Sequence, residues 1–175
     1  MWLVDGAREA VLALKYRALP RIADDLAEAM AREGLPADGP SVLVPIPLAP
    51  KRLRERGYNQ SEALAAALAR RWHLPVARDL LARVRETPTQ TTLTPETRLA
   101  NVAGAFAMRN AKCGMRNDEG SVNSAFPIPH STLILVDDVF TTGATLAEAA
   151  RALEQAGARR VCGITFARAA IPDFT

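Results

Sequence analysis

The chain has 175 residues, 49% of them hydrophobic and 23% charged, and a net charge of +3. That is room for one α/β domain with a real core and hardly for two, in the ordinary make-up of a soluble globular protein. The charge is too small to imply nucleic-acid binding by itself, so what matters is where the cations sit. The two cysteines, Cys113 and Cys162, form no CxxC pair, which argues against zinc and, with so few thiols, for the reducing cytoplasm. Asp5 and Glu9 interrupt the apolar start, and "ALAAALA" at 63–69 is far too short to span a bilayer, so neither a secretory signal nor a membrane span is expected.

In chain order, Ala7, Val11 and Leu14 share one helical face, and Ile22, Leu26, Ala29 and Met30 share another. Gly34, Pro36, Gly39 and Pro40 close this helical region. "SVLVPIP" reads as a short strand stopped by Pro45 and Pro47. Ser61 is the expected cap of the next helix, with Glu62 in its first turn and Leu64 and Leu68 on its inner face. Residues 83–101, "RVRETPTQTTLTPETRLAN", carry no apolar period and read as a long loop, a length usual for lids and binding loops. "VAGAFAM" reads as a strand, and 109–131 as a polar surface insertion. Then come a strand at 132–136, a helix from about Thr145 to Ala156 stopped by Gly157, and "RVCGITFA" as a buried strand. Strand, helix, strand implies a parallel sheet.

The chemistry concentrates in "LILVDDVFTTGAT", Leu133 to Thr145, where an apolar strand runs into Asp137 and Asp138. Ligands of parallel α/β sheets bind outside the carboxyl ends of the strands. Side chains alternate along a strand, so the two carboxylates need not collide. Each can accept from a hydroxyl or meet Mg²⁺ through water. The following helix start offers free N–H groups and a positive dipole end to a phosphate. Gly143 lets the backbone approach closely, and Thr141, Thr142 and Thr145 add hydroxyls. Acids for hydroxyls beside a phosphate cradle describe a ribose 5-phosphate. No lysine of a P-loop and no GxGxxG are present. The plain alternative is a capped helix with two solvated aspartates.

These thirteen residues resemble the motif by which type I phosphoribosyltransferases bind 5-phosphoribosyl 1-pyrophosphate (PRPP). The resemblance implies Asp137 and Asp138 on the ribose hydroxyls as catalytic and indirect Mg²⁺ ligands, and Thr141, Thr142, Gly143, Ala144 and Thr145 around the 5-phosphate. "VPIPLAPKRLRERGYNQ", "RVRETPTQTTLTPETRLANVAGAF" and "LKYR" near the start make the chain similar to the ComF/GntX family of competence-associated, phosphoribosyltransferase-like proteins over nearly its whole length. The implied fold is α/β of the type I phosphoribosyltransferase kind, with a central, mainly parallel sheet flanked by helices. It would be a single domain over 1–175, with the helical part at 1–38 as a hood. Members of that family often begin with a four-cysteine zinc module. This sequence has none, so no zinc is expected, and nucleic-acid contacts through such a module are in doubt. The insertion at 109–131 is a second departure.

By the same resemblance, residues 47–52 correspond to the pyrophosphate loop, with Lys51, Arg52 and Arg56 as its cations; cations facing a leaving diphosphate lower the cost of charge build-up. Arg56, Gly57, Asn59 and Gln60 suit a shaped turn. Tyr58 is either packing or a base platform. The 83–101 segment resembles the flexible loop that closes over PRPP, with Arg85, Gln90 and Arg98 as ligand contacts. His73 and His130 read as surface or structural residues. Two functions stay open. One is a Mg²⁺-dependent transferase that moves phosphoribosyl from PRPP to a nitrogenous acceptor, with Asp138 assisting the developing cation or a proton transfer. The other is a non-catalytic PRPP- or nucleotide-binding module in DNA uptake, with a helicase or single-stranded DNA as partner, although few aromatics are interleaved with the cations. No membrane partner is expected, and a homodimer is allowed.

Overall fold

The computed structural model describes residues 5–16, 20–85, 102–109 and 130–169. Helices α1 (Asp5–Tyr16) and α2 (Pro20–Ala31) are followed by strand β1 (Ser41–Pro45), short helix α3 (Pro50–Arg56) and helix α4 (Gln60–Trp72). Strands β2 (Leu81–Arg83) and β3 (Phe106–Met108) form an antiparallel pair. Strand β4 (Thr132–Phe140), helix α5 (Ala144–Gln155) and strand β5 (Arg160–Arg168) complete the described chain.

The central sheet has the order β1-β4-β5, all parallel, with Val42 opposite Leu133 and Leu133 opposite Val161. Residues 75–77 add a parallel bridge to the outer side of β1, through Leu43 N–H to Pro75 O and Ala77 N–H to Leu43 O. Alternation divides the sheet into two faces. Leu43, Ile134 and Val136 pack with α1, α2 and α4, while Val42, Val44, Leu133 and Leu135 pack with α5 and the β2–β3 pair. Both faces of β1, and of β4 as far as Val136, are therefore buried, which is why Val42–Val44 and Leu133–Val136 are continuous apolar runs rather than alternating ones. Truncating a fully buried side chain such as Leu135 to alanine costs about 2–5 kcal/mol at sites of this kind.

Several expectations change. Strand β4 does not end before the aspartates but runs on to Phe140. What ends there is β1, whose ladder stops at Pro45 opposite Val136. Strand β5 is half-exposed along most of its length, with Phe166 and Ala167 buried, and lies at the edge of the described sheet. The "VAGAFAM" strand begins only at Phe106, because residues 102–105 form a turn closed by Ala105 N–H on Val102 O. Arg83, expected in a loop, is the last residue of β2. Helix α5 starts one residue earlier and ends one earlier than expected. The faces expected for α1 and α4 are the buried ones. Residues 86–101 and 110–129, and with them most of the expected loop and insertion as well as Cys113, lie outside the described residues. No helix among the described residues is long and apolar enough to cross a membrane.

Candidate functional site: a cationic cleft over paired aspartates

Because β4 and β5 continue past the point where β1 leaves the sheet, a notch opens beyond Pro45. Ile46 N–H makes a last bond to Val136 O, and the chain then turns away through 47–49 into α3. A cleft of about 370 Å³ occupies this notch. Its floor carries Asp137, Asp138, Thr141 and Thr145, and its walls come from α1, the 46–48 turn, α3, the start of α4 and β2. Among the described residues five cations line it: Arg8, Lys15, Arg52, Arg56 and Arg83.

Both aspartates border the cleft, and their carboxyl groups lie close enough to act on each other. Asp138 lies on the α1 side, where Lys15 Nζ stands 2.7 Å from its Oδ2. Asp137 Oδ1 accepts from the Ser61 hydroxyl at 2.9 Å and from Asp138 N–H at 3.0 Å. Burial, followed by the charge of Asp138, pushes the Asp137 carboxyl up to about 7; the Ser61 bond acts in the opposite direction.

Ser61 was expected to be a helix cap, but Asn59 does that work. Its side chain accepts from Ser61 N–H at 3.1 Å and donates to Ile46 O at 3.0 Å, which ties α4 to the end of β1. The freed Ser61 hydroxyl, fully buried, is aimed at Asp137. Arg56 Nη1 donates to Gln60 Oε1 at 2.8 Å, and its guanidinium lies 5.5 Å from the Tyr16 ring centroid. The Tyr58 hydroxyl is enclosed without a hydrogen-bond partner among the described residues, and burial raises its pKa.

The turn between β4 and α5 is tight. Gly143 is the N-cap at φ +78, and a Cβ there would lie 2.8 Å from Phe140 Cζ. Both the left-handed backbone and the ring contact demand glycine. Thr142 Oγ1 accepts weakly from Ala144 N–H at 3.4 Å. Thr141 and Thr145 border the cleft, whereas Thr142, Gly143 and the buried Ala144 shape the turn.

Of the expected pyrophosphate cations, Arg52 and Arg56 line the cleft, being one helical turn apart on α3; Lys51 is exposed and does not line it. Arg85 is also outside the lining, donating to Ala103 O at 2.6 Å. Gln90 and Arg98 lie outside the described residues. Reasoning from sequence missed Ser61, Arg8, Lys15 and Arg83. Lys15 belongs to the "LKYR" stretch, which was visible, but nothing local says that it reaches a residue more than a hundred positions away. Arg83 stacks on Phe106 at 5.2 Å; burial and neighbouring Arg52 pull its pKa down while Asp137 holds it up. His73 is exposed and ends α4 in a left-handed conformation at φ 53, and His130 is exposed. Burial raises the pKa of half-buried Cys162.

Comparison with known proteins gives this geometry its context. The Phosphoribosyl transferase domain family matches residues 58–171, which spans α4, the aspartates, the threonine turn and β5. The chain belongs to the phosphoribosyltransferase-domain family. Within it, the chain is a ComF-type, phosphoribosyltransferase-like protein with the type I α/β fold. It is 33% identical to Competence protein F of Haemophilus influenzae over 122 residues, 70% of this chain and 48% of that protein. It is 36% identical to Competence protein ComFC of Bacillus subtilis over 116 residues, 66% of this chain and 39% of that protein. DNA utilization protein YhgH of Escherichia coli K12 is 33% identical over 122 residues, 70% of this chain and 47% of that protein. The matched part thus spans about half the length of these relatives or less.

Proposed function

We propose that the cleft binds a ribose 5-phosphate group in the form of Mg²⁺-PRPP, and that the chain transfers phosphoribosyl to a nitrogenous acceptor with release of pyrophosphate. The observation that carries this reading is the opening of the paired aspartates and the threonine turn into one cleft with five cations. In this reading the sugar hydroxyls bond to Asp137 and Asp138, the 5-phosphate takes the N-terminus of α5 with Thr141 and Thr145, and Arg52, Arg56 and Arg83 face the diphosphate. The bond from C1 to the diphosphate oxygen breaks with its electron pair leaving on pyrophosphate. A C1–N bond forms, and the acceptor nitrogen gives up its proton. The aspartate pair, with Asp138 as the expected assistant and the Asp137 carboxyl raised by burial above its ordinary range, stands where that proton could be taken up. Positioning and charge stabilisation supply most of the rate.

Among the described residues no group of three or more His, Cys, Asp or Glu side chains could hold a metal ion. Two carboxylates suit a Mg²⁺ ion that arrives on the diphosphate and completes its roughly six oxygen ligands from that group and water. Bound there, it would neutralise charge on the departing pyrophosphate. The test is pyrophosphate release from Mg²⁺-PRPP with a panel of bases and amines. Release with at least one acceptor supports transfer.

A second reading is a PRPP- or nucleotide-binding module in DNA uptake that acts with single-stranded DNA or a helicase and without turnover. The names of the relatives, competence and DNA utilization, favour it, as does Tyr16, 70% exposed, whose ring lies under the guanidinium of Arg56. PRPP binding without release for any acceptor, together with salt-dependent binding of single-stranded DNA, would select this reading.

A further inference from the structure

The carboxylate that a ribose hydroxyl would need already has a cation beside it, at an oxygen, Oδ2, that accepts no hydrogen bond among the described residues. Lys15 Nζ lies 2.7 Å from Asp138 Oδ2, with the lysine side chain 23% exposed and the aspartate side chain 6%. Asp137 Oδ1 is engaged by Ser61 and by the Asp138 amide. Lys15 comes from α1, where Arg8, Leu12 and Lys15 stand on one helical face toward the cleft. Pulling an ammonium off a nearly buried carboxylate is costly unless both ions gain new partners at once. Lysine can make that exchange, because its four-carbon stem stays packed while the head rotates.

We infer that Lys15 is a specificity-determining residue that exchanges partners, leaving Asp138 to the ligand's hydroxyls and moving onto an anionic oxygen of the same ligand. The inference rests on the ribose-phosphate reading and deepens it. A ligand with hydroxyls alone would have to displace Lys15 and leave the ammonium without a counter-ion. A diphosphate alone would draw Lys15 away and leave Asp138 without a partner. A phosphorylated ribose satisfies both groups. The cleft thereby selects for the two chemical features on one scaffold, and does so through a residue about 120 positions from the acidic motif, a separation read from residues 15 and 137–138.

The test compares AMP with adenosine, which differ only in the phosphate, by calorimetry on the full chain and on Lys15→Met. The unsubstituted chain should prefer AMP, and Lys15→Met should reduce the AMP-to-adenosine affinity ratio by about tenfold or more, the effect of losing one charge-assisted contact. Lys15→Arg, which keeps the charge, should retain most of the preference. If Lys15→Met melts below the assay temperature, Lys15→Gln takes its place with the same expected loss. A ratio unchanged within about twofold, while Asp138→Asn still weakens AMP binding, would overturn the role of Lys15 and leave the ribose-phosphate site standing. Failure of the unsubstituted chain to bind AMP, ribose 5-phosphate or PRPP would overturn both.

Discussion

The floor and the rim of the cleft are built in opposite ways. The floor comes from one contiguous stretch, Asp137 to Thr145, fixed by the β4 ladder, the Gly143 turn and the start of α5. The rim is assembled from Arg8 and Lys15 on α1, Arg52 and Arg56 on α3, and Arg83 on β2. A floor of this kind is rigid and intolerant of substitution. A rim of long side chains on separate elements is adjustable, and each member acts mainly through its charge. The placement of the carboxylates and the threonine turn is thus set by the floor, whereas the sign and reach of the field are set by tertiary packing.

Substitutions should separate the two regions. The largest effect is expected from Gly143→Ala, which puts a Cβ at φ +78 and 2.8 Å from Phe140 Cζ. Left-handed backbone alone costs a non-glycine residue about 1–2 kcal/mol. With the ring contact added, the melting temperature should fall by about 5 °C or more, and phosphate binding should be lost with the turn. On the rim, Arg52→Ala and Arg56→Ala should each weaken Mg²⁺-PRPP by about tenfold to a hundredfold in calorimetry, as expected for a charged hydrogen bond worth about 1.5–3 kcal/mol. Their melting temperatures should barely change.

A smaller effect concerns pH. The folded Asp137 carboxyl titrates near 7, above its ordinary value of 3.8, so in that window the native state holds a proton that the unfolded state has released. Stability of the ligand-free protein from this group is therefore greatest below about pH 4 and falls as pH rises toward 7. Asp137→Asn should flatten that slope in melts taken between pH 5 and 8. Ser61→Ala removes the bond that lowers the Asp137 pKa. It should move the midpoint of the pH profile of ligand binding upward. Lys51→Ala should change binding least, within about twofold, because this exposed residue stands off the cleft.

The same contrast explains what could be read in advance. The floor was legible because its chemistry is contiguous: apolar strand, two acids, a glycine turn and a helix. The helical faces of α1 and α4 were legible from their spacing. The extension of β4 to Phe140 was not, since two aspartates look like a strand terminus until β5 is seen to pair beside them, Asp137 opposite Thr165. Ser61 looked like a cap because serine before an acidic first turn usually is one. Only the Asn59 bonds to Ser61 N–H and Ile46 O release its hydroxyl for Asp137. The half-exposed β5 reads as buried from its sequence because an apolar run does not reveal which strand lies at the edge of the described sheet. Lys15 and Arg83 reach the cleft through packing between distant segments, and no local pattern records that.

Whether the paired aspartates hold the ligand is decided by calorimetry of Mg²⁺-PRPP with the unsubstituted chain and with Asp137→Asn/Asp138→Asn. Saturable binding to the first and none to the second is expected, with both proteins folded by circular dichroism. Binding of equal strength to both would contradict it.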